Sequence, residues 1–554
     1  MHFPSLSTFN AHLKRPWILL SIGMVLLLVR AWPRLLHPGV WDEDGTYCLP
    51  GFLQHGLANL AEPIGGYLHL APKLLTMLAA SISISQYPMI VTLLAFGFML
   101  AVFYIMATAP VRLQGGVLLA VAFFLVPSDP EVFGLPLYAT WWLSLSIFVV
   151  AFWNDQPTHG LLRSAIIILA FLSSPVAMVV LPFLWGRAWL LRGNRLEVRL
   201  ALLATLCAAI QASVLLHYPG LVLSQSRLAA SIQVIPKFLG AYAIGNIRPD
   251  LQWFFGSVIL LFFMAAFFHD PRSPVKWGLI YLWFASALMV MRRVDIAIIH
   301  QVSGGPRYFL YPFVIQSWLL LQIALSDSSR WLRRGAWFIL LLSLLNALPV
   351  LDRKHDELNW KMHLASCLHF DGYAIPVHYD GNAAQAWDLP MTKGQCTALL
   401  AKDPFAGSVR KLPGFPLRVF KGNPIDRPLE ASDVTVKFAS VQQGNGWLGT
   451  DFDKSRGEGM VVLGSFGDSD ANAGSLTLKM KRGDRLRYRT GPTVQRQFIE
   501  ILGSDFPIMT VPGAQGWVLL DFSSDLLPAE FFVKFSDHGS GWGEWSAVGL
   551  KKDE

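Results

Sequence analysis

The chain comprises 554 residues, 53% of them hydrophobic and 15% charged, with a mean hydropathy of +0.44. These values exclude a disordered chain and an ordinary soluble domain, and place most of the protein in lipid. The formal net charge of +8 does not call for nucleic acid, because the basic residues sit beside apolar runs, where membrane topology wants them, and form no basic stripe.

Asp, Glu, Asn and Gly become frequent after residue 352. The expected organisation is therefore a polytopic α-helical membrane domain over 1–351 followed by a soluble part. A hydrocarbon core of roughly 30 Å needs about 17 to 25 apolar residues per helix. That window predicts about eleven spans, near 16–35, 88–109, 115–127, 138–153, 163–175, 176–190, 200–218, 252–268, 277–291, 307–326 and 336–351. The first apolar stretch, from Trp17, runs into Arg30 and Arg34 instead of a small-residue cleavage site, and is expected to stay as an anchor.

Directly after it stands an acidic triplet, Asp42, Glu43 and Asp44, in the run Trp41-Asp-Glu-Asp-Gly-Thr-Tyr47. Carboxylates are costly near a bilayer, and three at close range cannot all ionise cheaply, so one is suited to abstracting a proton near neutral pH. The alternative is an acidic helix cap or a solvated loop. The apolar segment 68–85 carries Pro72 and Lys73 and reads as a helix along the interface or re-entering. With it excluded as a span, the basic loop residues from Lys14 and Arg15 through Arg163, Arg187 and Arg199 to Arg334 fall inside. The N-terminus is then cytoplasmic, and the triplet, the loops 128–137, 219–251 and 292–306, and the soluble part lie outside.

Seven cations break that rule. Lys73, Arg227, Lys237, Arg248, Arg292, Arg293 and Arg307 fall on the outer side, several beside span ends. An anionic ligand at the outer leaflet, such as a lipid phosphate, accounts for them, because Arg offers a bidentate fork and Lys a point charge. Contact with phospholipid head groups is the alternative. Arg307 lies in Ser303-Gly-Gly-Pro-Arg-Tyr308, where glycines let backbone N–H groups approach an anion. A second outer acidic pair, Asp129 and Glu131 in Ser128-Asp-Pro-Glu-Val-Phe-Gly134, is expected either to serve the structure or to lend a carboxylate or help hold a divalent cation. No predicted span has an interior Asp or Glu, which argues against an ion-coupled carrier, and no Walker sequence supplies an ATPase.

Cys48 falls in the first outer loop and Cys207 in a span, while Cys367 and Cys396 share the soluble part in an oxidising compartment. A Cys367–Cys396 disulfide is expected there, the alternative being two unrelated thiols. Residues 352–430 read as an irregular linker subdomain. From 431 to 554 short alternating strands such as Val434–Phe438, Leu476–Met480 and Phe531–Phe535, separated by Gly, Asp and Ser turns, predict an all-β sandwich. Trp447, Trp542 and Trp545 either stack on sugar rings or pack a core. Asp451, Asp453, Asp468 and Asp470 are calcium ligands or plain turns.

A cytoplasmic N-terminus, an acidic motif opening the first outer loop, an interface helix, about eleven spans and an outward C-terminal domain together resemble the GT-C superfamily of integral-membrane glycosyltransferases. Trp41-Asp-Glu-Asp-Gly45, followed by Gly65-Gly-Tyr-Leu-His-Leu70 and Pro72-Lys73, is similar to the first-loop pattern of bacterial members. The resemblance implies a multi-pass protein of the bacterial inner membrane that transfers a sugar, with inversion, from a polyprenyl-phosphate carrier to a glycan or glycolipid acceptor on the outer face. Glu43 or Asp44 would be the general base. Arg292, Arg293 and Arg307, then Lys73, Lys237 and Arg248, would stabilise the departing phosphate, and Tyr67 and His69 would line the sugar pocket. Some members use a divalent cation (Mg2+, Mn2+ or Ca2+) and others none. The C-terminal sandwich resembles the jelly-roll carbohydrate-binding modules of some members. A lipid-linked saccharide flippase, a polysaccharide ligase and a non-catalytic polysaccharide-binding protein are the competing classes, and a flippase needs no carboxylate base.

Overall fold

The computed structural model describes residues 15–41, 43–156, 158–217, 233–296, 298–302, 304–353, 359–370, 372–377, 388–421, 431–449, 459–466, 472–491, 496–509 and 517–553. The chain divides into two compact units. One comprises Met1–Pro38, Gly51–Leu78 and Val91–His355, the other Gly39–Pro50, Ala79–Ile90 and Asp356–Glu554.

Among the described residues seven helices are long and apolar enough to cross a membrane: Pro16–Leu36, Tyr87–Thr108, Arg195–His217, Pro249–His269, Pro274–Arg293, Pro306–Ser326 and Arg330–Val350. Each matches one of the eleven expected spans. The other four expected spans are shorter helices: Gly116–Phe124, Pro136–Ala151, Gly160–Phe171 and Pro175–Leu190. At 1.5 Å per residue, a 12-residue helix covers only about 18 Å of a roughly 30 Å core. The break at Ser173-Ser-Pro175 has a local cause, since the Ser174 hydroxyl caps the Val176 N–H at the start of a 3-10 turn. The segment expected along the interface forms a 13-residue helix, Leu70–Ile82.

The helix Arg195–His217 begins five residues before the predicted span and brings a buried Glu197 with it. Arg163 donates to both Glu197 carboxylate oxygens at 2.8 and 2.9 Å, and Arg187 donates to both at 3.1 Å. Arg163 and Arg187, counted above as loop cations, are thus buried partners of an acid in the helical body. Two guanidinium groups on one carboxylate satisfy the hydrogen-bonding needs that make a lone buried charge costly.

The first apolar helix carries two more buried arginines. Ala31 leaves helical geometry and Pro33 lies inside the helix, which kinks it between Arg30 and Arg34. Arg30 donates to the Ser128 and Val350 carbonyls at 2.5 and 3.1 Å, and Arg34 to the Glu131 carbonyl at 3.1 Å. These bonds fasten the 128–131 loop to that helix.

In the second unit, β1 (Gly372–Pro376) and β2 (Asp388–Thr392) pair antiparallel, with Ile375 opposite Leu389. In chain order they lie between the helices Trp360–Cys367 and Lys393–Lys402, which the Cys367–Cys396 disulfide joins at a Cα separation of 6.1 Å. A Thr392–Gln395 capping box starts the second helix. The remaining strands are β3 (Arg418–Lys421), β4 (Val441–Asn445), β5 (Leu448–Gly449), β6 (Met460–Gly464), β7 (Gly474–Lys481), β8 (Arg485–Thr490), β9 (Gln497–Ile501), β10 (Val518–Asp521), β11 (Glu530–Asp537) and β12 (Ser546–Lys551). They form a six-stranded sheet, β3-β10-β8-β12-β6-β5, and a four-stranded sheet, β4-β7-β11-β9. Alternation directs Leu476, Leu478 and Met480 of β7 and Val533 and Phe535 of β11 into one core with Leu486, Tyr488, Leu520 and Val548 of the other sheet.

Candidate active site

Asp44 opens a five-residue π-helical turn, Asp44–Cys48. The turn is tied by Gly45 N–H to the Trp41 carbonyl at 2.8 Å, and by Leu49 N–H to the Asp44 carbonyl. Asp44 is only 1% exposed and Glu43, at the N-cap, is half-buried. Asp42 lies outside the described residues.

Two consecutive left-handed glycines, Gly65 (φ +58°) and Gly66 (φ +88°), turn the chain into the Tyr67–His69 segment. That segment is held on several sides. Leu68 exchanges hydrogen bonds with the Gln211 side chain, Leu70 N–H reaches the Leu172 carbonyl at 3.2 Å, and Ala71 N–H reaches the Ser173 hydroxyl at 2.9 Å. The Tyr67 and His69 rings stack with centroids 4.2 Å apart. His69 is 5% exposed, and its Nδ1 lies 3.1 Å from the Tyr67 carbonyl. A carbonyl can only accept, so Nδ1 carries the hydrogen and Nε2 is left with a lone pair. Burial, aided by the charges of Lys73 and Arg293, pushes the imidazole down to about 3 against the pull of that hydrogen bond, so the ring stays neutral.

Arg293 reaches this turn from the end of Pro274–Arg293. Its Nη2 stands 3.4 Å from where a Cβ on Gly65 would be, and both Arg292 and Arg293 are exposed at a helix C-terminus that favours cations. Arg307 follows Gly305 (φ +70°), whose missing side chain leaves room for the Tyr308 ring. The Arg307 guanidinium is 30% exposed. It donates to Glu131 Oε1 at 2.5 Å and to the Tyr138 hydroxyl at 3.1 Å, and lies 5.4 Å from the Tyr308 ring centroid. Tyr138 also donates to Glu131. Tyr308 meets Trp141 edge-on at 6.1 Å, and Trp141 stacks on Tyr311 at 4.7 Å, so aromatic rings continue from the guanidinium.

The other expected cations are engaged differently. Buried Lys73 donates to the carbonyls of Asn59 and Glu62. Lys237 donates to the Ile299 carbonyl at 2.8 Å. Arg248 makes an exposed two-point pair with Asp250 at 3.0 and 2.8 Å, and Arg227 lies outside the described residues. The acidic pair Asp129 and Glu131 is paired with arginines. Asp129 caps Glu131 N–H at 2.9 Å and pairs with Arg353 at 3.0 Å, while burial raises its carboxyl against the pull of Arg353. Among the described residues no group of three or more His, Cys, Asp or Glu is gathered for a metal ion.

In the β region Trp447, offered above as a sugar platform, is 5% exposed and packs in the core near Phe535. An edge buried by both sheets cannot meet a glycan, which corrects that role. Trp542 is 83% exposed, and half-buried Trp545 has Arg489 over its ring at 5.7 Å. The four aspartates offered for calcium lie outside the described residues.

Tyr138, Trp141, Tyr308 and Tyr311 were not singled out in sequence. Aromatics on apolar helices are common, and nothing local marks those that meet across 170 residues. Arg30 and Arg34 did carry a signal, two cations one turn apart on an apolar helix.

No protein-family model matches this chain, and no curated protein does. Among solved structures, the cryo-EM structure of arabinosyltransferase EmbB from Mycobacterium smegmatis aligns with 96% of this chain at 11% identity and a TM-score of 0.28. This chain spans 64% of that chain's length. A likeness of that size fixes neither fold nor activity.

Proposed function

We propose that this protein is a membrane glycosyltransferase that moves a sugar from a polyprenyl-phosphate carrier to a glycan or glycolipid acceptor on the extracytoplasmic face. The observation that carries the reading is the carboxylate pair Glu43 and Asp44, held in a hydrogen-bonded turn directly after the first apolar helix. An acid in a defined backbone geometry, a few residues after a membrane helix in the chain, suits proton abstraction from an acceptor hydroxyl.

In this scheme Glu43 or Asp44 takes the hydroxyl proton, and the freed oxygen attacks the anomeric carbon from the face opposite the phosphate. The bond from that carbon to the phosphate oxygen breaks with its electron pair, and the polyprenyl phosphate leaves as an anion with inversion at carbon. Little covalent help is needed, because the leaving group is already stable; positive charge lowers the barrier further. Arg307, Arg293 and Arg292 supply that charge. Tyr67 and His69 offer a stacked ring pair and a neutral acceptor nitrogen to the sugar. The C-terminal sheets act as a jelly-roll carbohydrate-binding module, with Trp542 and Trp545 meeting the glycan.

The test supplies radiolabelled polyprenyl-phosphate sugars to membranes carrying the full chain. Replacing the base, by Glu43→Gln or Asp44→Asn, is expected to lower transfer by about 10²-fold or more, at one position if not both. A lipid flippase would tolerate both changes, and full activity in both variants rejects the reading.

A further inference from the structure

The turn that carries Glu43 and Asp44 belongs to the same compact unit as the C-terminal region Asp356–Glu554. Strand β2 packs against it. The tightest approach is at Gly45. A Cβ there would overlap Val377 Cγ1 and stand 2.9 Å from Val40 Cγ1 and 3.0 Å from Val377 Cβ. Gly45 is not in the left-handed region, so space rather than backbone conformation demands glycine. Val377 is fully buried, directly after β1, and β1 and β2 are joined in register from Gly372–Thr392 to Pro376–Asp388.

A second group of contacts holds another segment to the same C-terminal region. The Asp403 carboxylate accepts from the Ser83 hydroxyl at 2.9 and 3.0 Å and from Ser85 N–H at 2.6 Å, and Trp360 Nε1 donates to the Ile84 carbonyl at 2.8 Å. Hydrogen bonds on the Ser85 N–H and the Ser83 hydroxyl keep Asp403 ionised below the usual carboxylate range, although burial alone would raise it. The C-terminal region thus takes up two short stretches, Gly39–Pro50 and Ala79–Ile90.

We propose that Val377, and the β1–β2 pair that carries it, is a positioning element for the first-loop carboxylates. The side chain fills the space beside Gly45 and so sets where Asp44 stands. This rests on the reading of Glu43 or Asp44 as the base, and it gives the C-terminal region a part in the reaction separate from glycan binding. Catalysis is sensitive to such placement, since a shift of about 1 Å in a reacting group can cost about 10²-fold in rate.

The experiment uses the full chain in membranes and compares Gly45→Ala, Val377→Ala and the double variant, with radiolabelled polyprenyl-phosphate sugar as probe. Gly45→Ala is expected to lower kcat by about 10²-fold with little change in KM for the donor. Val377→Ala, which leaves the turn less closely held but unobstructed, is expected to lower kcat by about 10-fold, and the double variant, in which the smaller side chain makes room, should return to within about 3-fold of that value, a coupling that independent sites do not show. Unchanged kcat in Gly45→Ala, or a double variant no better than Gly45→Ala, overturns the proposal. If Gly45→Ala does not accumulate as folded protein, the folded yield of the double variant decides in the same two ways. Glu43→Gln and Asp44→Asn are run beside them. Activity surviving in both marks failure of the base assignment, whereas their loss with an active Gly45→Ala marks failure of the positioning alone.

Discussion

Arg307 and Glu131 lie 176 positions apart and meet at 2.5 Å, the guanidinium donating to a carboxylate that also accepts from Tyr138. The sequence offers each separately, Arg307 for an anionic ligand or a head group and Glu131 for the structure or for a substrate or cation. Their pairing gives both a structural part, because a buried carboxylate that accepts from the guanidinium and from Tyr138 fixes where the arginine points. Glu131 is in turn held through its backbone by Arg34 and Asp129. The half-buried Arg307 guanidinium therefore stands on a buried, fixed support, an arrangement suited on the proposed function to electrostatic stabilisation of a leaving group.

Arg307→Lys, which keeps the charge and loses the fork, is expected to lower kcat by about 10²-fold while the protein stays folded. Glu131→Gln keeps an acceptor for the guanidinium and is expected to cost about 1–3 kcal/mol of stability. Thermal unfolding together with steady-state transfer separates the two effects. Equal kcat for Arg307→Lys and wild type would remove Arg307 from the reaction.

The neutral state of His69 has a pH signature. Its ordinary value of 6.5 falls to about 3 in the folded chain, chiefly through burial. Between those values the unfolded chain binds a proton that the folded chain does not, so the stabilising contribution is complete above pH 6.5 and is lost as pH falls toward 3. The melting temperature should therefore drop on acidification below pH 6.5, with a shallower slope in His69→Phe. Parallel slopes for the two proteins would contradict this assignment.

Two tryptophans divide the roles offered to them. Trp447→Ala opens a hole in a packed core and is expected to cost about 3–5 kcal/mol, read as a lower melting temperature. Trp542→Ala, at an exposed position, should change stability by less than about 0.5 kcal/mol. On the proposed function it should also weaken retention by polysaccharide in affinity electrophoresis. Undiminished retention would move glycan binding away from Trp542.

The helical and β regions were largely legible in the chain itself. Uninterrupted apolar runs such as Tyr87–Thr108 leave a helix as the economical way to satisfy the backbone in lipid, and all seven long helices coincide with predicted spans. Alternation in Leu476–Met480 directed the correct face inward. Span count was less legible, because apolar runs such as 115–127 look alike whether they form a full crossing or a helix of 9 residues. A break depends on local caps like Ser174 as much as on hydropathy.

Composition and spacing by themselves determined that this is a membrane protein with a C-terminal β region, and that Cys367 and Cys396 lie in the same part of the chain. Local propensity and the cost of polar groups in lipid are properties of a segment, so a segment suffices to read them. Tertiary structure alone decided which charges are neutralised and by whom: Glu197 between Arg163 and Arg187, Glu131 against Arg307, Lys73 on two carbonyls, and Gly45 closed in by Val377. Electrostatics and close packing depend on distances of a few ångströms between residues far apart in the chain, and only the fold sets those distances.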